Sequence, residues 1–590
     1  MGRTPLNKRI LKFVNFTFLF TFSVIIFFLS LGIFILSPDK FINTVSKHAK
    51  TIVVIITLLL TIQTISKVIE YYSIEKTRST RRQIIVSVLL LMLSLITLVS
   101  SELIEIRKYE DLLFGSVLPI FLICSVGILT FTNIAKLFYI YPSLLFIIAS
   151  GVMIIASATL LHLPISSSTG EPLPLIDTLF VATSAVSCTG LSTISVGKEL
   201  SFVGQMILMI TIQLGGLLII FISTIGILFG FVSGDVIMKL RMGSFFEVRG
   251  VVETQKLILK FVLVAFTSQI LVAILLLPYF LEVEKDLGKA IFYSIFHVVS
   301  ALNNAGFSTY DDSLARFNNN PYFLMLIAYL ILLGNTSIIT VTEIAEYIRV
   351  KIKNFVNHLL HRKKTEVFRF SLFSKIVLTT HLVLILFGTT VILIFEAENL
   401  LKQAKHPLVE ALFGSISLRT AGFSSFDFSQ AKDPTYLFSS LLMFIGGGSI
   451  SIAGGVKMNT IALFVISLFA FLRAYPSLYS FKREIDFYSL LKASAVVVGA
   501  ISLLTVCVIA FYEFVKEERF SKIVFELTSA FGTVGMSSGL TSKNLSIPAK
   551  LILIFLMFSG KIGLITVLSI LARKSTRYLG AFPKENLIVG

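Results

Sequence analysis

Charge is what this sequence has least of. Of 590 residues, 51 are basic and 33 acidic, 14% in all, against 55% hydrophobic residues and a mean hydropathy of +0.90. Soluble domains carry roughly 25% charged residues, so a soluble globule is excluded. Cysteine is scarce too. Cys124, Cys188 and Cys507 lie in apolar or pore-like segments, with neither disulfide nor metal-ligand spacing. No paired-histidine motif occurs, and no carboxylate pair at helical spacing falls on an apolar run. A polytopic membrane enzyme would need such a cluster, and the enzyme class is set aside. The glycine-rich stretch near residue 450 is not a Walker A loop, because Val456 precedes Lys457 where glycine is required. No small-residue cleavage site follows the basic N-terminus and the apolar run Leu11–Ser37, which predicts an anchor rather than a removed signal. Leu6 stands where N-myristoylation needs Ser or Thr.

What the chain does have is apolar runs of roughly 20 residues, long enough to cross ~30 Å of hydrocarbon. The net charge of +18 could suggest nucleic acid, but its placement argues for membrane topology. Basic residues gather in alternate connections: Lys8, Arg9 and Lys12; Lys76 to Arg82; Lys239, Arg241 and Arg249; Arg349 to Arg369; Arg473, Lys482 and Arg483; Arg573, Lys574 and Arg577. With twelve full spans, all of these fall on the cytoplasmic side, together with both termini. Candidate spans at 11–37, 51–72, 84–104 and 112–135 come first. Then one plan recurs: a long span, a shorter half-apolar stretch, another long span. The first spans are 138–162, 256–281, 371–397 and 489–514, and the second are 203–232, 321–347, 437–473 and 547–572. Stretches such as Leu175–Ser187 and Ile291–Asn303 are too short to cross. They suit re-entrant half-helices, tolerated where backbone lines a wet, protein-enclosed cavity.

A motif marks each short stretch: Phe180-Ser184-Gly190-Leu191-Ser192, Phe296-Ser300-Gly306-Phe307-Ser308, Phe413-Ser417-Gly422-Phe423-Ser424 and Phe525-Ser529-Gly535-Met536-Ser537. The glycines are 116, 116 and 113 residues apart. A fixed long period signals a repeated structural unit. Four units can bring four equivalent backbone segments to one point, as a carbonyl filter for cations requires. Glycine suits the turn because it takes positive φ freely. The preceding residues differ (Cys188-Thr189, Asn304-Ala305, Thr420-Ala421, Thr533-Val534), which fits coordination through backbone rather than side chains. No ring of Asp or Glu sits there, and a half-helix ending at the filter would aim its negative end at a cation. A pure scaffold would leave these four glycines unexplained.

Symmetry breaks in the third unit. Gly446, Gly447, Gly448, Ser449, Gly454, Gly455 and Lys457 interrupt an apolar span with small residues and a cation. The segment reads as a packing kink or as an unwound gate beneath the filter, and a costly buried lysine favours the gate. Lys561 is the other cation within a span, either a pore-side charge or a snorkelling one. Arg419 reads as scaffold first and ion-contacting second, with Glu410 or Glu526 as partners it could pair with behind the filter. His297 and Asp177 read as satisfied polar groups at the starts of pore segments.

At these residues the chain resembles the Trk/Ktr/HKT superfamily of potassium transporters. The matching stretches are Thr183–Leu191, Gln213–Leu217, Phe296–Ser308, Ala411–Ser424, Gly454–Lys457 and Ser529–Ser537, and Phe582–Gly590 looks like a Ktr-type tail. The resemblance covers residues 138–590, leaving 1–137 as an extension with four candidate helices. It implies an all-α integral membrane fold of four membrane–pore-loop–membrane repeats around one pore: 138–234, 235–348, 349–474 with the gate, and 475–590. It implies a homodimer in the cytoplasmic (inner) membrane with one pore per chain, and a cytosolic nucleotide-binding regulatory subunit docked on the basic loops. Nucleotide is expected only on that partner, and no cofactor on this chain. It implies potassium uptake, K+ being held at the twelve filter residues Cys188 to Gly190, Asn304 to Gly306, Thr420 to Gly422 and Thr533 to Gly535. Gly190 goes with potassium selectivity, where serine would go with sodium passage. Sodium dependence, and channel-like flux against symport, stay open. The alternative is a sodium-permeable or weakly selective channel. The chain departs from the family in Lys561, where Arg is usual, in Leu333-Gly334-Asn335-Thr336, where a double glycine is usual, and in the absence of a proline from the gate.

Overall fold

The computed structural model describes residues 142–233, 251–359, 366–403, 405–426, 428–475 and 477–563. The four N-terminal spans, Lys239 to Arg249, Arg573 to Arg577 and the tail Phe582–Gly590 lie outside the described residues.

The described chain is helical apart from one antiparallel hairpin, β1 (Leu478–Ser480) and β2 (Arg483–Ile485). In chain order the main helices are α1 (Pro142–His162), α2 (Leu175–Ser187), α3 (Phe202–Ser233), α4 (Val251–Glu284), α5 (Leu287–Leu302), α6 (Pro321–Asn335), α7 (Ile338–Leu359), α8 (Leu372–Phe395), α9 (Pro407–Ser417), α10 (Asp433–Phe444), α11 (Met458–Leu472), α12 (Phe487–Tyr512), α13 (Phe520–Gly532) and α14 (Ile547–Ile562). Helices α4, α8 and α12 are apolar over most of their length, with their few charges near the ends. Their outer surfaces expose Leu259, Leu263, Ile270, Leu382, Leu386, Ile394, Val498 and Ile509. Such surface is stable only against lipid, and the chain is a multi-pass membrane protein. By length and hydropathy, Leu257–Glu284, Leu372–Phe395 and Ser489–Tyr512 can cross a bilayer, and the bent pair α6–α7 makes a fourth.

The short helices are the buried ones. In α2, α5, α9 and α13 the motif phenylalanines Phe180, Phe296, Phe413 and Phe525 are fully enclosed. Their neighbours form a closed sequence. Helix α3 packs on α5, α6 on α9, α10 on α13, and α14 returns to α2. Each helix after a motif therefore buries the short helix of the next unit. Proline at the first turn of α6, α9, α10 and α14 starts these helices where no N–H is needed.

The second span of the second unit corrects the sequence reading. Residues 321–347 do not form one straight span: α6 ends at Asn335 and α7 leaves at 117°. No proline causes it. At the break, Thr336 N still closes α6 on Leu332 O at 3.0 Å, but its neighbours hydrogen-bond another segment: Ile338 N donates to Ile450 O at 3.0 Å, and Gly334 O accepts from Ile452 N at 3.3 Å. Arg349, Lys351 and Lys353, read as connecting loop, lie on α7. The pore segment expected at Ile291–Asn303 begins earlier, at Leu287, where Asp286 accepts from Lys289 N at 2.8 Å and caps the helix.

Candidate functional site

Each short helix stops in the same way. The residue two before the glycine takes a left-handed conformation: Cys188 (φ 54), Asn304 (φ 52), Thr420 (φ 72) and Thr533 (φ 50). The glycine follows with positive φ: Gly190 (100), Gly306 (66), Gly422 (74) and Gly535 (89). The glycines fall at the turn, as the sequence suggests. The strained non-glycine residue ahead of each was not foreseen.

The motif serine explains how that strain is held. Thr189 N donates to Ser184 O at 2.8 Å and Gly190 N to Ser184 Oγ at 2.9 Å. The fourth unit repeats this: Val534 N donates to Ser529 O at 2.8 Å and Gly535 N to Ser529 Oγ at 3.1 Å. Ala305 N reaches Ser300 O at 2.8 Å, while Ala421 N and Gly422 N share Ser417 O at 3.0 and 3.2 Å. In a trans peptide the carbonyl points opposite to the N–H of the next residue. With these N–H groups tied back to their own helices, the carbonyls of Cys188, Asn304, Thr420 and Thr533 turn away from them.

The four turns meet edge to edge. A side chain on Gly190 would strike Ala305 O, one on Gly306 would strike Ala421 O, one on Gly422 would strike Val534 O, and one on Gly535 would strike Thr189 O. The contacts run from unit one to two, three and four and back to one, a closed ring of backbone. All four glycines border one cavity of about 580 Å3, whose other walls come from residues following each glycine, including Ser192, Ser308, Ser424 and Ser537. Those walls are tied to the short helices by buried polar groups. His297 bonds Tyr293 O at 2.7 Å and Ser308 Oγ at 2.9 Å. Glu410 accepts from Ser425 Oγ. Glu526 accepts from Ser537 Oγ, Ser538 N and Ser538 Oγ, each at 2.8 Å, and from both N and Oγ1 of Thr541. The sequence signal for these tethers is a polar residue at the motif phenylalanine plus one or minus three; it marks His297 as a satisfied polar group, whereas Glu410 and Glu526 read from the sequence only as partners for Arg419.

Beneath the ring, the segment between α10 and α11 is unwound. Gly446 N donates to Val456 O at 2.8 Å and Met458 N to Gly447 O at 3.0 Å, so the segment folds on itself. Gly454 N donates to Thr533 Oγ1 at 3.1 Å, directly under the fourth turn. Gly448 packs against Ser337, and Gly455 N reaches Gly560 O at 3.2 Å. Ser449 is half-buried at the base of the segment. Ile450 is held at φ 56, a costly conformation for a β-branched residue. Two lysines grip consecutive carbonyls. Lys561 Nζ donates to Ile452 O at 2.7 Å, and Lys457 Nζ donates to Ala453 O. Lys561 is buried rather than snorkelling.

Arg419 corrects the expectation placed on it. It pairs with neither Glu410 nor Glu526. It is fully buried, Nη1 donates to Met458 Sδ at 3.7 Å, and its Nε and Nη2 have no partner. Glu526 is already saturated by the residues after its own glycine, which leaves it nothing to offer an arginine. Cys188 and Cys507 are buried free thiols.

Comparison with known proteins places the chain. The TrkH family, described as cation transport protein, matches residues 120–578. Ktr system potassium uptake protein B of Vibrio alginolyticus is 32% identical over 457 residues, covering 76% of this chain and 95% of that protein. Potassium/sodium uptake protein NtpJ of Enterococcus hirae is 33% identical, covering 75% and 96%. Ktr system potassium uptake protein B of Bacillus subtilis is 33% identical, covering 70% and 89%. The match spans all four turns, the unwound segment and Lys561, and the chain belongs to the TrkH family of cation transport proteins.

Proposed function

We propose that the chain is the pore-forming subunit of a potassium uptake system. In this reading four repeats surround one pore, with the residues from Cys188 to Gly190, Asn304 to Gly306, Thr420 to Gly422 and Thr533 to Gly535 as its filter. The observation that carries it is the closed ring of four glycine turns, with serine-tethered amides and carbonyls turned away from their helices. Carbonyl oxygens so held replace the hydration shell of a monovalent cation. The cavity above the ring receives the ion. The segment Gly446–Lys457 is the gate below it, and Lys561 and Lys457 place positive charge beside the path. Both Ktr relatives are named as potassium uptake proteins, which supports the substrate. The working unit is a homodimer in the cytoplasmic membrane, both termini inside, served by a cytosolic nucleotide-binding subunit; the word "system" in those names fits a protein that works with further subunits.

A second reading is a pore that also passes sodium, favoured by the relative named a potassium/sodium uptake protein. One experiment separates them. The full-length chain is expressed in cells lacking their own potassium uptake, and growth and rubidium uptake are followed at low potassium, with and without sodium. Restored growth with rubidium uptake resistant to sodium competition supports the potassium pore. Equal passage of sodium selects the second reading. No uptake by a chain present in the membrane, even with a regulatory subunit co-expressed, rejects both.

A further inference from the structure

The break between α6 and α7 is where three separate parts of the site are stitched together, and one residue makes the stitches. Asn335 is fully buried. Its Nδ2 donates to Arg419 O at 2.9 Å, the carbonyl just ahead of the third turn. Its own carbonyl accepts from Gly448 N at 2.9 Å, in the unwound segment. Its backbone N–H reaches Asn304 at the second turn: with the Asn304 amide oriented to satisfy its neighbours, Oδ1 accepts from Asn335 N at 3.2 Å while Nδ2 donates to Ala301 O and Ile331 O. The same Oδ1 lies 3.3 Å from Thr420 Oγ1 at the third turn. The side chain of Asn335 also bears directly on Gly447, leaving no room for a side chain there.

We propose that Asn335 is a positioning residue that couples the gate to the filter. The side chain of Asn335 holds the third turn, its N–H the second turn and its carbonyl the gate segment, so one residue keeps all three in a single register. The gate cannot leave Gly448 without freeing the carbonyl of Asn335, and a buried carbonyl without a partner is costly. The preceding peptide, joined to it at the Asn335 Cα, sets Asn304, so opening is transmitted to the second turn. Neighbouring bonds make the attachment two-sided: Ile338 N to Ile450 O and Ile452 N to Gly334 O flank it. Ile450, held at φ 56, is strained in the closed arrangement. Release of that strain favours the open one. Coupling between two sites is reciprocal, so occupancy of the filter must also change how tightly the gate is held.

This inference rests on the reading of the ring as a filter and of Gly446–Lys457 as its gate. The test uses the full-length chain in liposomes, with a reporter thiol introduced by Ser451→Cys, a buried position in the gate. Thiol labelling is counted as the increment over the chain without that substitution. With Asn335 intact, saturating potassium in place of choline should slow reporter labelling several-fold. Asn335→Ala leaves a space and Asn335→Leu fills it; both remove the side-chain bond to Arg419 O and keep the backbone bonds to Gly448 and Asn304, so they loosen the register at the third turn. Each should speed reporter labelling and lower the potassium-to-sodium flux ratio, both by about tenfold, the scale of one buried hydrogen bond. Labelling that ignores potassium overturns the coupling whether or not the variants fold. So does a shift of selectivity without a shift of labelling, or the reverse. A parent chain that carries no potassium at all, even with a regulatory subunit added, rejects the transport reading, whereas normal parent flux with uncoupled labelling rejects only the role of Asn335.

Discussion

Lys550 Nζ meets Asp177 Oδ1 at 2.7 Å, with both side chains only 4% exposed. Asp177 opens the short helix α2 of the first unit, and Lys550 lies on α14 of the fourth, 373 residues later. Lys550 also donates to Lys543 O at 2.9 Å, so the pair is hydrogen-bonded beyond its own contact. The ion pair fastens the seam at which the last unit closes on the first. Losing one partner of a buried pair strands the other, at about 3–5 kcal/mol. Asp177→Ala and Lys550→Ala are each expected to destabilise the folded chain by that amount, read from thermal unfolding in detergent. The double variant Asp177→Leu/Lys550→Met should recover most of the loss. Single variants as stable as the parent would remove the seam from the account.

The ring itself makes a sharper prediction. At Gly535 a β-carbon would overlap Thr189 O on the neighbouring turn, and φ is +89. At Gly539 φ is +93, yet the nearest atom to an added β-carbon is Ser429 Cβ at 3.5 Å. Both positions resist alanine through their backbone by about 1–2 kcal/mol, but only one collides with another unit. Gly535→Ala should therefore lower the potassium-to-sodium flux ratio by more than about tenfold, while Gly539→Ala leaves that ratio unchanged. Equal effects at the two sites would mean that strain, not ring geometry, is being measured.

Much of this arrangement was legible in the sequence, for identifiable reasons. The glycines at Gly190, Gly306, Gly422 and Gly535 were readable because positive φ restricts the choice of residue, and the restriction recurs at a long period. Buried short helices were readable because apolar runs too short to cross have few places to go. The break at Asn335 was not readable as a break. Residues 321–335 and 338–347 are both helix-compatible, and at the bend hydrogen bonds come from the unwound segment, more than a hundred residues later in the chain. Arg419 misled for a related reason. Opposite charges on neighbouring pore segments suggest a pair, but Glu526 is consumed by Ser537, Ser538 and Thr541, contacts that depend on how the chain turns after Gly535.

The two buried glutamates should answer differently to the same change. Glu526 accepts five hydrogen bonds, two of them from backbone N–H groups. Glu410 accepts one, from Ser425, and its Oε1 has no partner. An amide in place of Glu526 would turn an NH2 toward donors that need an acceptor. Glu526→Gln is expected to cost about 3 kcal/mol, since hydrogen bonds to a charged group are worth about 1.5–3 kcal/mol each. Glu410→Gln should cost less than about 1 kcal/mol. Denaturant or thermal titration of the two variants side by side checks the ranking, and a larger loss at Glu410 would reverse it.

The last prediction concerns the two lysines beneath the ring. Lys561 donates to Ile452 O at 2.7 Å and Lys457 to the adjacent Ala453 O, and no carboxylate pairs with either ammonium among the described residues. Their charge therefore stands beside the proposed ion path uncompensated, and their hydrogen bonds hold the unwound segment, the proposed gate, in place. If that segment is the gate, both effects oppose cation flow. Lys561→Met removes one charge and one latch, and should raise potassium flux by about tenfold, the scale of one charge-assisted hydrogen bond. Lys561→Arg keeps a donor and a charge and should leave the chain closed, while placing a planar fork where a point charge stood. Flux into liposomes at saturating potassium, normalised to inserted protein, distinguishes the two. If Lys561→Met lowers flux at unchanged protein level, the lysine serves ion passage rather than closure, and the gate must be sought in Lys457 and the segment it holds.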